Sequence, residues 1–408
     1  MNFGDEMIDA GATSGTTNHS WTPLAKLVWL TSALLLQLAC SSERSTGPSI
    51  PSGDPAAFRW SLPDGFPQPL VPADNPMSDA KVELGRRLFY DTRLSGNNQF
   101  SCSSCHRQSN AFADARNRPF GSTGQAHPRN SMSLPNVAYQ VVLGWANPQT
   151  RRLEAQALIP MLGETPVELG LAGREEEMLG RLRAVALYNS LFPVAFPDDP
   201  SPITLGNVTK AIATFERTFV SGDSPYDRFK RGNASAMSDA AQRGETLFRS
   251  DRLKCSQCHS GVMFTNAARW VGSTTDDPEF INTGLYNIDG AGTYPAPNTG
   301  LLAITGVASD MGKFKVPSLR NIEVTFPYMH DGTVATLSDA IDHYAAGGRT
   351  ITSGPNAGVG SANPYKSPLV GGFTISDAEK SDLIAFLRSL TDSTFLTNPK
   401  FTNPWIAK

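Results

Sequence analysis

Apolar residues recur at helical spacing in four stretches of this chain, and the four form two matching pairs. Val82, Gly85, Leu88 and Phe89 fall on one face of a helix, and Ser78 stands where an N-cap side chain would accept a backbone N–H of the first turn. The same arrangement returns later. Met77-Ser78-Asp79-Ala80, Gly85-x-x-Leu88-Phe89 and Arg93-Leu94 are matched in order and type by Met237-Ser238-Asp239-Ala240, Gly244-x-x-Leu247-Phe248 and Arg252-Leu253. Each half also closes on an amphipathic helix. Val208, Ile212, Phe215 and Phe219 make its face in the first half, and Leu383, Phe386, Leu387 and Leu390 in the second, where Ser376 and Glu379 supply a capping box. A repeat of this length is what a duplicated domain leaves. The pattern breaks between Ser221 and Ser235, at Gly222, Pro225 and Gly232. It therefore predicts a mainly α chain of two tandem domains, 58–225 and 226–408.

One further apolar run, from Leu27 to Ala39 behind Lys26, is too short for a spanning helix and suits a signal peptide. It ends at Ala39-Cys40-Ser41, so residues 1–40 read as a lipoprotein-type signal with Cys40 as the lipidated residue. The Ser/Gly/Pro-rich stretch 41–57 then reads as a linker. An ordinary secretory signal that leaves Cys40 as a free thiol is the other reading. Gln37 departs from the leucine usual in a lipoprotein signal, and Asp5, Glu6 and Asp9 are wrong for a signal's basic start, which suggests a true start downstream of Met1. Either way the expectation is export to the periplasm, and under the lipoprotein reading an anchor in the outer membrane.

Composition narrows the classes. The 408 residues, 40% hydrophobic and 18% charged, suffice for sizeable cores, and the 35 glycines and 30 prolines point to short helices joined by long structured loops. A net charge of -3 gives no field that would recruit nucleic acid, leaving small molecules and proteins as partners. Four of the five cysteines form Cys102-Ser103-Ser104-Cys105-His106 and Cys255-Ser256-Gln257-Cys258-His259. Within one turn such a motif offers two thiols to the vinyl groups of a haem and an imidazole to its iron. Structural zinc would need the two pairs to converge, yet they lie about 150 residues apart, against roughly 12 to 20 in common zinc modules. A thioredoxin-like pair would need a strand-helix-strand setting, and none is read here. Two covalent c-type haems follow, with His106 and His259 as proximal ligands. A helix before each motif and one closing each half is then the layout of the cytochrome c fold, twice.

The opposite face of each iron decides the chemistry, because an open position admits peroxide whereas a second strong ligand favours electron transfer. Beyond the two motifs and the leader the histidines are His127, His330 and His343. The segment Phe314-Lys315-Val316-Pro317-Ser318-Leu319-Arg320-Asn321, continuing through Thr325-Phe326-Pro327-Tyr328-Met329-His330-Asp331-Gly332, resembles the bacterial dihaem cytochrome c peroxidases and their MauG-like relatives, as do Arg129-Asn130-Ser131 and Trp145. In the peroxidases of that family a methionine seventeen positions after the proline of the Thr-x-Pro triplet ligates the second haem, and in the MauG-like branch this residue is tyrosine. Counting from Pro327 gives Tyr344, with His343 beside it as the rival. A phenolate is a hard, anionic donor that stabilises oxidised iron.

The resemblance implies further roles. Gln156, Pro160 and Glu168 would line the open face of the His106 haem, where a carboxylate can move a proton between the peroxide oxygens; Glu164 rivals Glu168. His127 is an alternative resting ligand there, and His330 is read as structuring its turn. Trp145 would carry electrons between the haems. Asn130, Thr325 and Pro327 match the surroundings of a calcium ion between the domains. The stretch from Trp145-Ala146-Asn147-Pro148 to Met161-x-Gly163-Glu164-x-Pro166-Val167-Glu168-Leu169-Gly170-Leu171 is most similar to the MbnH subgroup, whose members oxidise a tryptophan of a copper-binding partner to kynurenine. The implied function is oxidation of a residue on a partner protein at the expense of hydrogen peroxide, with reduction of peroxide by a small cytochrome or cupredoxin as the alternative.

Overall fold

The computed structural model describes residues 58–274 and 277–406. The expected signal peptide 1–40, its Cys40 anchor and the linker 41–57 lie outside the described residues. The described chain is mainly helical. Its helices are α1 (Asp79–Phe89), α2 (Leu153–Leu162), α3 (Glu175–Arg183), α4 (Ala186–Ala195), α5 (Leu205–Arg217), α6 (Pro225–Lys230), α7 (Asp239–Phe248), α8 (Cys255–Cys258), α9 (Leu302–Thr305), α10 (Leu337–Ala345), α11 (Asp377–Arg388) and α12 (Ser393–Leu396). Strand is confined to two antiparallel pairs, β1 (Phe280–Ile281) with β2 (Phe314–Lys315), and β3 (Thr350–Ile351) with β4 (Gly358–Val359). Among the described residues no helix is long and apolar enough to cross a membrane.

The helix starts follow from their caps. Ser78 Oγ accepts from Lys81 N at 3.2 Å and Ser238 Oγ from Ala241 N at 3.2 Å, so the repeated serine does the same work twice. Thr204 caps α5, and Ser376 with Glu379 forms the capping box of α11. The periodic faces read from sequence overrun the helices slightly. Phe219 and Leu390 lie beyond the ends of α5 and α11, yet both are fully buried.

The two glycines of the repeat set the packing. A Cβ on Gly85 would stand 1.9 Å from the Ala211 carbonyl of α5, and one on Gly244 would stand 2.0 Å from the Asp382 carbonyl of α11. Only a residue without a side chain lets each pair of helices cross that closely. Around each crossing lies an aromatic cluster. Phe89, Phe112, Phe215 and Phe219 fill the first, with Phe112 and Phe219 stacked at 4.1 Å, and Phe248, Phe264 and Phe386 fill the second. Arg320 binds Asp227 of α6 through two 2.9 Å hydrogen bonds, tying the segment after β2 to the start of the second half.

One segment from beyond the expected 225/226 division packs into the first half. The first core runs from Ala80 to Phe219 but also takes in Phe395 and Phe401. The C-terminal segment returns to the first half. Tyr90 donates its hydroxyl to the Phe401 carbonyl at 2.6 Å, and Trp405 Nε1 donates to the Arg87 carbonyl at 3.0 Å.

Candidate active site

Each cysteine motif occupies one tight turn. Cys102–Ser104 forms a 3-10 turn opened by a reciprocal Ser101/Ser104 cap, and Cys255–Cys258 is α8. His106 N and His259 N each donate to the carbonyl of the motif's first cysteine at 3.0 Å, which puts the imidazole on the same side as the thiols. Both imidazoles are oriented alike. His106 Nδ1 lies 2.7 Å from the Phe112 carbonyl and His259 Nδ1 3.2 Å from the Phe264 carbonyl. Phe112 and Phe264 hold left-handed backbone at φ 54° and 51°, a conformation costly for an aromatic residue, and this turns their carbonyls back on the histidines. With Nδ1 engaged, Nε2 is the nitrogen left to ligate a metal. Burial lowers both imidazoles, His259 to about 4, and so keeps them neutral. No disulfide joins these four cysteines, and burial pushes their thiols up, Cys105 and Cys255 to about 12.

Both motifs open onto one cavity of about 690 Å³, lined by Cys102, Cys105, His106, Cys255, Cys258 and His259. A large apolar space reached by two thiols and an oriented imidazole on either side fits two covalently attached haems. No group of three or more His, Cys, Asp or Glu able to hold a metal ion occurs among the described residues.

The residues expected on the open face of the first site come together on the wall of this cavity. Gln156 and Pro160 reach it from α2, and Glu168 from the loop that follows. Burial pushes the Glu168 carboxyl up to about 7. Glu164 is exposed and does not line the cavity. His127 does line it, with Nε2 3.7 Å from Glu168 Oε1 and Nδ1 held by the Arg129 backbone. On the second side the lining residues of α10 are Leu337, Ala340, Ile341 and Tyr344, a single helical stripe, and Tyr344 faces Cys255 and Cys258. His343 lies off that stripe. It is buried, and neither ring nitrogen has a hydrogen-bond partner.

Trp145 lines the same cavity. Its indole N–H donates to the Asn130 carbonyl at 2.8 Å, and its own carbonyl accepts from Lys315 N at 2.8 Å. Asn130 in turn spans the halves, donating its amide to the carbonyls of Arg116 at 3.2 Å and Pro327 at 3.0 Å. In that orientation the bridge is satisfied without a cation. A carboxamide turned over would present Oδ1 beside the Pro327 carbonyl, two oxygens of the kind calcium takes. Thr325, close by in the chain, directs its hydroxyl to the Ile322 carbonyl at 3.2 Å.

The sequence profile of the di-haem cytochrome c peroxidases matches residues 79–235. The methylamine utilization protein MauG of Methylorubrum extorquens is 33% identical over 355 residues, covering 86% of this chain and 89% of the relative. The chain belongs to the dihaem cytochrome c peroxidase and MauG family. Cytochrome-c peroxidase IdrP1 of Denitromonas iodatirespirans is similar at 34% identity, over 80% of this chain and 85% of its own. Among solved structures, a MauG-like protein associated with microbial copper homeostasis is 47% identical with a TM-score of 0.84, over 86% of this chain and 100% of that one. As a member of this family the protein is a peroxide-using haem oxidoreductase with two cytochrome c-like domains, and its Cys-x-x-Cys-His motifs are the attachment points of two c-type haems.

The cavity of this dihaem enzyme also holds residues that sequence reasoning passed over, namely Gln140, Glu216 and Lys315. Lys315 stood inside the motif used for the family resemblance. A lysine buried in a two-residue strand carries no signal in an alternating pattern that would set it apart from an exposed one. For Tyr344 against His343 a signal did exist, in the spacing 337, 340, 341, 344.

Proposed function

We propose that the protein is a MauG-like oxidase that uses hydrogen peroxide to oxidise a residue of a partner protein, a tryptophan carried towards kynurenine on a copper-binding partner. The observation that carries this reading is Tyr344 on the cavity wall beside Cys255 and Cys258, at the position where the peroxidases of the family have methionine. The 47% identical relative, a MauG-like protein associated with microbial copper homeostasis, supports the choice of partner. When bound, the two haems supply redox-active iron that takes oxidising equivalents from peroxide.

The side chains divide the remaining work. Glu168, with its carboxyl near 7, takes a proton from one peroxide oxygen and returns it to the other, with Gln156 beside it to orient the substrate. Burial raises the Tyr344 phenol, so it keeps its proton unless a metal cation displaces it; with a haem held at His259, Tyr344 would be the residue to offer that iron a phenolate. Trp145, held between the halves by Asn130 and Lys315, is the route for electrons between the two sites. Calcium at Asn130, Thr325 and Pro327 belongs to the same reading, and the metal content of the purified enzyme tests it. So do export to the periplasm and an outer-membrane lipid anchor at Cys40, which labelling with a radioactive fatty acid tests.

The deciding experiment incubates the dihaem enzyme and peroxide with a candidate copper-binding partner protein, and follows the partner's mass. Added oxygen on a tryptophan is expected, and it should be lost in Tyr344→Met. An unmodified partner, together with rapid peroxide-driven oxidation of reduced cytochrome c, would instead make the protein a peroxide-detoxifying peroxidase.

A further inference from the structure

The wall of the cavity carries positive charge that the protein does not answer. Lys315 is 3% exposed, and its Nζ has one side-chain partner, the neutral Gln140 Oε1 at 3.0 Å. No carboxylate lies within ion-pair distance of it among the described residues. Burial alone lowers the ammonium to about 7. Nearby, Arg129 packs 5.7 Å from the ring centroid of Phe314 and gives its Nε to the neutral Asn298 Oδ1. His330, stacked on Phe314 at 3.7 Å, leaves Nε2 without a partner. Lys315, Gln140, Arg129 and His330 all line the cavity.

A buried ammonium beside a single amide is an incomplete arrangement, because an amide dipole does not replace the water the charge has lost. The cavity's own acids do not complete it. Glu168 has His127 as its neighbour, Glu216 has Arg217 and Glu154, and burial raises both carboxyls, Glu216 to about 8. The missing anion therefore comes with whatever fills the space. The groups that the two cysteine motifs hold each carry two propionate carboxylates.

We propose that Lys315, steered by Gln140, is the binding site for a haem propionate carboxylate. The contact places a fixed cation at the haem edge, two residues before Pro317, whose backbone neighbours the His259 imidazole. It also places that cation on the strand whose Lys315 N–H donates to the Trp145 carbonyl. Lys315 thus works as an electrostatic clamp. It holds one propionate in register and biases the potential of the haem that carries it, since a neighbouring cation favours reduced iron.

The test uses the haem-loaded full chain and compares wild type with Lys315→Met and Lys315→Arg by resonance Raman spectroscopy and potentiometric titration. The Met variant is expected to shift the propionate bending band of one haem and to lower that haem's midpoint potential. The Arg variant keeps both close to wild type. If Lys315→Met carries both haems and neither band nor potential moves, the proposal is overturned. Should that variant fail to load two haems, Gln140→Leu replaces it, because the ammonium stays but loses its Gln140 partner. A displaced propionate band then supports the clamp, and an unmoved one overturns it.

Discussion

At the scale of single residues, the site is governed by what burial does to acids and bases. Glu168 has the environment of a proton shuttle, because a carboxyl at about 7 is neither a permanent acid nor a permanent base at neutral pH. The sign of its pH effect follows. Below about 7 the carboxyl is protonated and cannot accept the first peroxide proton, so the rate of reaction with peroxide should rise as pH climbs through about 7. Glu168→Gln should remove that rise and slow the reaction by roughly 10²- to 10⁴-fold, as stopped-flow mixing of ferric enzyme with peroxide would show. An unchanged pH profile in the variant would move the proton transfer elsewhere, with His127 the nearest titratable neighbour. The stability sign is opposite to the catalytic one. A carboxyl raised in the folded state contributes stability below its unfolded value and loses it as pH rises through about 7. Part of this was legible beforehand: the thiols and imidazoles were named from their motifs, and Tyr344 and Glu168 only through the family resemblance, and these residues do line the cavity. Lys315 was not, because charge neutralisation inside a cavity depends on which walls meet, and the chain brings Lys315 to Gln140 across 175 positions.

At the scale of elements, the repeat explains why the two halves share an architecture with little identity. What recurs is one cap, one glycine and one aromatic, and each has a physical task. Ser78 and Ser238 start the helices, Gly85 and Gly244 let them touch the closing helices, and Phe89 and Phe248 fill the crossing. Alanine at either glycine would drive a Cβ into backbone, which cannot yield as a flexible side chain does. Gly85→Ala and Gly244→Ala should each cost at least about 1–3 kcal/mol by overpacking, readable as a lower denaturant midpoint. Two variants as stable as wild type would show that the crossings are looser than their geometry. The caps and apolar faces were readable because they obey local periodicity. The helix ends were less so, because Phe219 and Leu390 are buried by packing that continues past the last helical turn. The loops that build the cavity carry no period. Left-handed Phe112 and Phe264 are recognisable only from the structure, although their carbonyls orient the histidines that the motifs announce.

At the scale of the whole molecule, the tail makes the two halves interdependent. Local patterning offered no reason to send residues 393–406 back to the first half, since the partners are some 300 positions away and the returning helix α12 is a single turn. In the structure Phe395 and Phe401 are 2% and 6% exposed within the first core, and Tyr90 depends on Phe401 for the partner of its hydroxyl. Two buried phenylalanines contribute about 3–6 kcal/mol, and a stranded buried hydroxyl costs about 1–3 kcal/mol more. Against a net stability of about 5–15 kcal/mol for a typical domain, that is enough to threaten the first half alone. Ending the chain after Asp392 keeps the bonds that Asp392 accepts from Gly222 and Asp223 and removes only the tail. Calorimetry of the dihaem protein should then show the transition of the first half moved to lower temperature, with that of the second half little changed. A truncated protein melting like wild type would mean that the tail only covers the first core; a joint downward shift would mean that the halves unfold as one unit and that the two haem sites are energetically a single structure.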